Sequence, residues 1–246
     1  MRYAVIACSV FMREISRVIS ESENTCIAYW IDQGLHNTPT KLRDEIQNII
    51  NRIDEKQKST HILDMKKYDA ILLGLGLCSN GIVGLSSSEL PIIAPKCDDC
   101  MAMFLGSQQR YLDIFNSRNG TYWYNSGWTE VGNVPSEKFY NTVYKYYCNE
   151  YGEDNAEFLM EAENGWKINY NNCVFINSPF YNDEKFVKIA RKAADYFNWE
   201  FVQVEGSAEY INNLLNGNWD ETAFLTVPPS KKIAAAYDGS KICVGD

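Results

Sequence analysis

Three cysteines, Cys8, Cys78 and Cys100, each stand just past a short apolar run of the kind that forms a buried strand. Thiolates are soft ligands that suit zinc or an iron–sulfur cluster better than magnesium or calcium. Three protein ligands with an open fourth position describe a catalytic metal, whereas four describe a closed structural one. A thiolate-rich zinc with an open position can bind a substrate thiol, keep it deprotonated at neutral pH and present it as a nucleophile. A lone cysteine at a strand end is usually packing, because cysteine is among the most buried residue types. Three at equivalent strand ends point instead to a shared site. Cys26, Cys148, Cys173 and Cys243 fall inside expected strands or helices, where burial is the expectation.

His36 occupies the equivalent loop after another expected strand, as a ligand or as a cap of the following turn. Cys97 and Cys100 form a C-x-x-C pair, which reads as a metal knuckle or as a thiol–disulfide couple at a helix N-terminus. Asp98 and Asp99 lie between them, and negative charge opposes thiolate formation, which counts against the redox couple. Arg13, Glu14 and Lys96 fall near the same edge, to pair with one another or to hold an anionic group. Gly74-Leu75-Gly76 and Ser79-Asn80-Gly81 lack the G-x-G-x-x-G spacing, the P-loop lysine and the ribose-binding acid of a nucleotide site. Their glycines are expected to let the backbone turn tightly beside Cys78. His61 precedes a strand-like stretch and is assigned no role.

The elements that must position these residues alternate. Strands are expected over Tyr3–Ala7, Thr25–Ile31, Ala70–Leu75 and Ile92–Ala94. Between them lie an amphipathic helix with Phe11, Ile15, Val18 and Ile19 on one face and a helix opened by an N-cap at Thr38 and by Pro39. The second helix carries Leu42, Ile46, Ile49, Ile50 and Ile53 inward, and a short helix over Met101–Leu105 follows the fourth strand. The middle of the chain reads as helical, broken by the turn-rich aromatic stretch Gly120-Thr121-Tyr122-Trp123-Tyr124. Alternation resumes with strands Cys173–Ile176, Glu200–Val204 and Ala223–Val227, separated by helices Glu184–Phe197 and Ala208–Leu215. In the first of these helices Phe186, Ile189, Ala190, Ala193 and Phe197 are expected inward. The fold class is therefore α/β, with two Rossmann-like parallel-sheet halves, each β-α-β-α-β, around a central helical insert. Residues 1–106 form the first half with the thiol site, 107–165 the insert and 166–246 the second half, within one globular unit whose halves face each other across a cleft. In open parallel sheets, loops converge outside the carboxyl ends of the strands, which is where the thiols are placed.

The chain has 246 residues, enough to bury a large core, and is 46% hydrophobic with a net charge of −9. No basic stripe is present, which argues against nucleic-acid partners. No apolar run approaches the roughly 20 residues of a membrane helix. Val5-Ile6-Ala7-Cys8 mimics a lipoprotein cleavage box, but too few residues precede it for a signal peptide of about 15–30. A cytoplasmic location is expected, where eight cysteines signal metal or catalysis more than disulfides.

Several motifs together resemble an uncharacterised bacterial and archaeal family, domain-of-unknown-function family 1638. They are Cys8-Ser9-Val10 with Arg13-Glu14, Leu35-His36-Asn37, Leu73-Gly74 through Cys78-Ser79-Asn80-Gly81, Pro95-Lys96 through Asp99-Cys100, Leu105-Gly106-Ser107 and Gly120-Thr121-Tyr122-Trp123. Members of that family are often encoded beside corrinoid-dependent methyltransferases, so the resemblance implies one-carbon metabolism and no established activity. The family pattern has His-Asp-Cys where this chain has Asp98-Asp99-Cys100, which leaves the fourth ligand open among Asp98, Cys97 and His36.

The expectation is thus a zinc protein with Cys8, Cys78 and Cys100 as ligands, and with Arg13, Glu14, Asn80, Lys96 and Ser107 as substrate-binding candidates. If catalytic, it performs metal-dependent methyl transfer on a small molecule, with a corrinoid protein or methyltransferase as partner and corrinoid reached through that partner. The alternatives are a non-catalytic accessory protein carrying an iron–sulfur cluster or delivering metal or corrinoid, and a cytosolic small-molecule binding protein.

Overall fold

The computed structural model describes residues 1–59 and 66–246, so His61 lies outside the described residues. Strand β1 (Arg2–Cys8) is buried on both faces from Tyr3 to Ala7, the continuous apolar run of a central parallel strand. A 3-10 turn (Ser9–Phe11) leads into helix α1 (Met12–Glu21), which buries Glu14, Ile15 and Val18 and leaves Ile19 half-buried. Strand β2 (Thr25–Ile31) is followed by helix α2 (Pro39–Lys58). Pro39 opens α2, but the Thr38 side chain makes no capping hydrogen bond. The inward face of α2 is the expected one, Leu42, Ile46, Ile49, Ile50 and Ile53. Strands β3 (Ala70–Gly74) and β4 (Ile92–Pro95) complete the parallel set.

Next come α3 (Cys100–Leu105) and α4 (Gln108–Ser117), then β5 (Thr121–Asn125), α5 (Ser126–Val131), α6 (Glu137–Tyr151) and α7 (Glu153–Asn164). The aromatic stretch expected as a turn is the strand β5, because Tyr122 and Tyr124 pack onto a sheet and aromatic residues suit that pleated surface. Strand β6 (Asn172–Asn177), helix α8 (Glu184–Phe197) and strand β7 (Glu200–Glu205) follow. Ile189 of α8 is exposed, against expectation, while Ala194 is buried and Val187 packs against the core. The chain closes with α9 (Glu209–Asn216), β8 (Phe224–Val227) and the antiparallel pair β9 (Lys232–Ala235) and β10 (Ile242–Gly245).

The α/β architecture is Rossmann-like, with one mostly parallel and one fully parallel sheet. The first has the order β2-β1-β3-β4-β8 and the second β5-β6-β7. Strand β8, expected in the second sheet, instead pairs antiparallel with β4, from Ile92↔Val227 to Pro95↔Phe224. Its Leu225 and Val227 complete a core that includes Ile6, Ile71, Leu73 and the apolar face of α2. On the opposite face, Phe11 stacks on Phe104 with ring centroids 4.3 Å apart, and α1 packs beside α9. Each fully buried Ile or Leu of these cores contributes about 1.5–3 kcal/mol. Two compact units result, one from residues 1–111 and 207–246, the other from residues 112–206. This cuts the chain elsewhere than at 106/107 and 165/166, because sheet pairing rather than sequence order groups the strands. Among the described residues, no helix is long and apolar enough to cross a membrane.

Gly74 lets β3 lie close against β1. A Cβ there would sit 2.6 Å from the Ala7 Cβ and 3.0 Å from Ile15 Cδ1. Gly74→Ala is expected to destabilise by about 1–3 kcal/mol through overpacking. At Gly165, with φ −56° and open space around it, alanine should be neutral or stabilising by up to about 1 kcal/mol. Urea unfolding of both variants checks the contrast.

Candidate functional site

From β1 the chain crosses to β2 on one side, then returns to β3 on the other. The connections leaving β1 and β3 therefore diverge, and such a switch point leaves a crevice outside the carboxyl ends of the strands. Cys8 ends β1, Cys78 follows β3, and Cys100 opens α3 after the neighbouring β4. The topology thus brings all three thiols to one edge of one sheet.

Backbone bonds extend the β3–β4 pairing into the two connections. Leu77 N donates to Cys97 O at 2.9 Å, and Cys78 N donates to Asp98 O at 3.1 Å. Gly76 permits this approach, since a Cβ there would lie 2.8–2.9 Å from the backbone N, Cα and C of Asp99. The chain then turns through three left-handed residues, Cys78, Ser79 and Asn80, with φ of 45°, 57° and 65°. Left-handed backbone costs a non-glycine residue about 1–2 kcal/mol, so the run is held under strain. Gly81 N closes it, donating to Leu77 O and Cys78 O, both at 3.0 Å. From α2, Arg43 Nη2 donates to Asn80 O at 3.2 Å.

Burial dominates the electrostatics. It pushes the Cys78 thiol up to about 12, with the Asp99 carboxylate and Cys8 adding to the rise. Cys97 and Cys100 are raised by burial first, then by Asp99 and by neighbouring thiols, Cys78 acting on both and Cys8 on Cys100. Cys8 is raised by burial and by Asp32, while the amides of Val10 and Ser9 pull the other way. Cys8, Cys78, Cys97, Cys100 and Asp99 therefore form one electrostatically linked cluster, whose thiols are protonated at neutral pH. Among the described residues, however, no group of three or more His, Cys, Asp or Glu side chains is arranged to hold a metal ion. The sulfurs disfavour one another's ionisation without closing into a ligand shell.

The other candidates have varied settings. His36 lies in a 3-10 turn (Leu35–Asn37) after β2, and burial lowers its pKa, which favours the neutral imidazole that metals require. Asp98 is engaged elsewhere: it pairs with Lys241 at 2.8 Å and accepts from Gln108 Nε2 at 2.7 Å. Cys97 is fully buried, its Sγ 3.5 Å from the Asp99 carbonyl oxygen. Glu14 is buried on α1, at 2% exposure, whereas its neighbour Arg13 is exposed. Lys96 donates from Nζ to Glu221 O at 2.7 Å. Ser107 caps α4, its Oγ accepting from Arg110 N, and Asn80 is exposed on the left-handed turn. Of the cysteines expected to be buried, Cys26 and Cys173 are, while Cys148 and Cys243 are half-buried.

Two residues of the site escaped the sequence reading. Asp99 caps α3 by accepting from Met101 N at 2.8 Å, and burial raises its carboxyl while Met101, Ala102 and Tyr111 hold it down. An aspartate placed directly before a helix is an N-cap signal that could have found it. Arg43, an outward position on an amphipathic helix, gave no such signal.

The family model described as "Protein of unknown function (DUF1638)" matches residues 30–215, and the chain belongs to that family. The matched span holds His36, Cys78 and Cys97 to Cys100 and begins beyond Cys8. Comparison with curated proteins and with solved structures gives no match.

Because the folded thiols favour their neutral form, the stability they confer is full below the ordinary thiol range and is lost as pH rises from 9.0 toward about 12. In that window the metal-free protein should lose up to about 1.4 kcal/mol per pH unit for each such thiol. Urea unfolding across this range should show a shallower loss for Cys78→Ser than for the parent. Equal slopes would contradict the assignment.

Proposed function

We propose that this member of the DUF1638 family binds zinc through Cys8, Cys78 and Cys100 and serves corrinoid-linked methyl transfer. The observation that carries the metal reading is the gathering of thiols from three separate connections at the switch point of one sheet, with a glycine contact and a strained turn bringing two of those connections together. Soft donors in a desolvated setting suit zinc, and a divalent cation reverses the mutual disfavour of the thiolates. Zinc held by these thiols would need the sulfurs to come closer and would displace their protons. With Asp98 committed to Lys241 and Gln108, His36 and Cys97 are the fourth-ligand candidates. The metabolic setting is supported by the family resemblance, through which a corrinoid protein or methyltransferase is the partner. A bound zinc with an open position would keep an acceptor thiol deprotonated at neutral pH. Arg13 and Asn80, both exposed, are the candidates to meet that acceptor's polar groups.

A second reading has its own observation. Cys97 is coupled electrostatically to Cys78 and Cys100, and with Cys8 it makes the four-cysteine complement of an iron–sulfur cluster. The protein would then be a non-catalytic accessory.

Anaerobic purification followed by elemental analysis decides between them. About one zinc per chain is expected, with a colourless protein. Cys8→Ser, Cys78→Ser and Cys100→Ser should each cut zinc affinity by more than the roughly 10–100-fold typical of losing a group that only supports a ligand. A brown protein containing iron supports the cluster. A folded parent that takes up neither metal ends both readings.

A further inference from the structure

Asn198, Ser230 and Lys241 are single left-handed residues, whereas Cys78-Ser79-Asn80 is a run of three. Strain of this kind persists only where the surroundings over-determine it. On the incoming side the turn is held by the bonds from Leu77 and Cys78 to the β4 connection. On the outgoing side the Asn80 carbonyl accepts from Val83 N at 3.1 Å and from Arg43 Nη2 at 3.2 Å. Arg43 is held there at some cost, because its Nε is buried without a hydrogen-bond partner. Its Cδ and Nε lie 3.6 and 3.7 Å from where a Cβ on Gly84 would sit, so the stem packs against the outgoing loop.

We infer that Arg43 is a positioning residue for Cys78, its guanidinium clamping the Asn80 carbonyl so that the left-handed turn presents the thiol at the crevice. The functional weight of this inference rests on Cys78 being a metal ligand. The clamp itself does not. Without the clamp the strained turn relaxes, and Cys78 spends more time away from Cys8 and Cys100.

The experiment follows alkylation of each cysteine by mass spectrometry in the metal-free protein, alongside zinc titration. Arg43→Ala should speed Cys78 alkylation about 10- to 100-fold, the effect expected of losing a hydrogen bond from a charged donor. Cys173, in the other compact unit, should keep its rate. Arg43→Lys, which can still donate to the carbonyl, should restore part of the protection. Adding Ser79→Gly and Asn80→Gly to Arg43→Ala should bring the rate back toward the parent, since glycine adopts left-handed backbone without strain. Zinc affinity should follow the same order. Equal Cys78 rates in parent and Arg43→Ala overturn the inference, as does acceleration of Cys173 alongside Cys78. A parent that takes up no zinc overturns the metal reading alone, and the alkylation ratios still decide the role of Arg43.

Discussion

The close approach of two backbones, at Gly76 and Asp99, is the constraint from which the site follows. Parallel strands end with their connections free to diverge, yet here the β3 and β4 connections stay hydrogen-bonded past the strand ends. Any side chain at position 76 would meet the Asp99 backbone. The pairing sets the entry to the left-handed turn and so the place of Cys78. It also holds the peptide from which Asp99 caps α3 and Cys100 begins it. Cys8 needs no such device, because its strand is central and its position is given by the sheet.

Two opposed influences act on the thiols. Burial and the Asp99 carboxylate favour the neutral forms, while backbone amides at Val10, Ser9 and Gly76 aim positive dipoles at Cys8 and Cys78. Burial wins, which leaves a cluster that resists becoming anionic without a compensating cation. Asp99 has two parts in this: as a cap it steadies the helix that starts at Cys100, and as a half-buried carboxylate it adds to the charge a cation would meet. Asp98, its neighbour, pairs with Lys241 and adds a smaller push in the same direction on Cys97 and Asp99.

Legibility in the sequence followed the range of the interactions involved. Strand β2 and helix α8 run from Thr25 to Ile31 and from Glu184 to Phe197 as their patterns indicate, because local propensity and burial agree there. The direction of β8 was hidden, since Phe224-Leu225-Thr226-Val227 offers the same apolar positions to either sheet and either orientation. Strand β5 was hidden by its flanking glycines. The strand-end rule brought Cys8, Cys78 and Cys100 to one edge, but the strand order that makes that edge a switch point comes from long-range pairing. Only Asn80, of a type that tolerates left-handed backbone, hints at the run over 78–80, and Cys78 and Ser79 give no such sign. Asp98 rather than Asp99 is indicated by the family pattern, which has histidine at that place, and that pattern says nothing of the lysine at 241 that claims Asp98.

The first unit is assembled from two stretches of chain separated by 95 residues of the other, from 112 to 206. During synthesis, β4 therefore leaves the ribosome with one edge bare and stays so until Phe224–Val227 has emerged. The peptide that bears Cys97 and Cys100 is completed from both sides only then, when Ala223 receives the Lys96 amide and Lys241 reaches Asp98. Nascent chains that halt before this point carry every cysteine of the cluster on an unfinished scaffold with an open sheet edge, the state most prone to mispairing and to capture of stray metal.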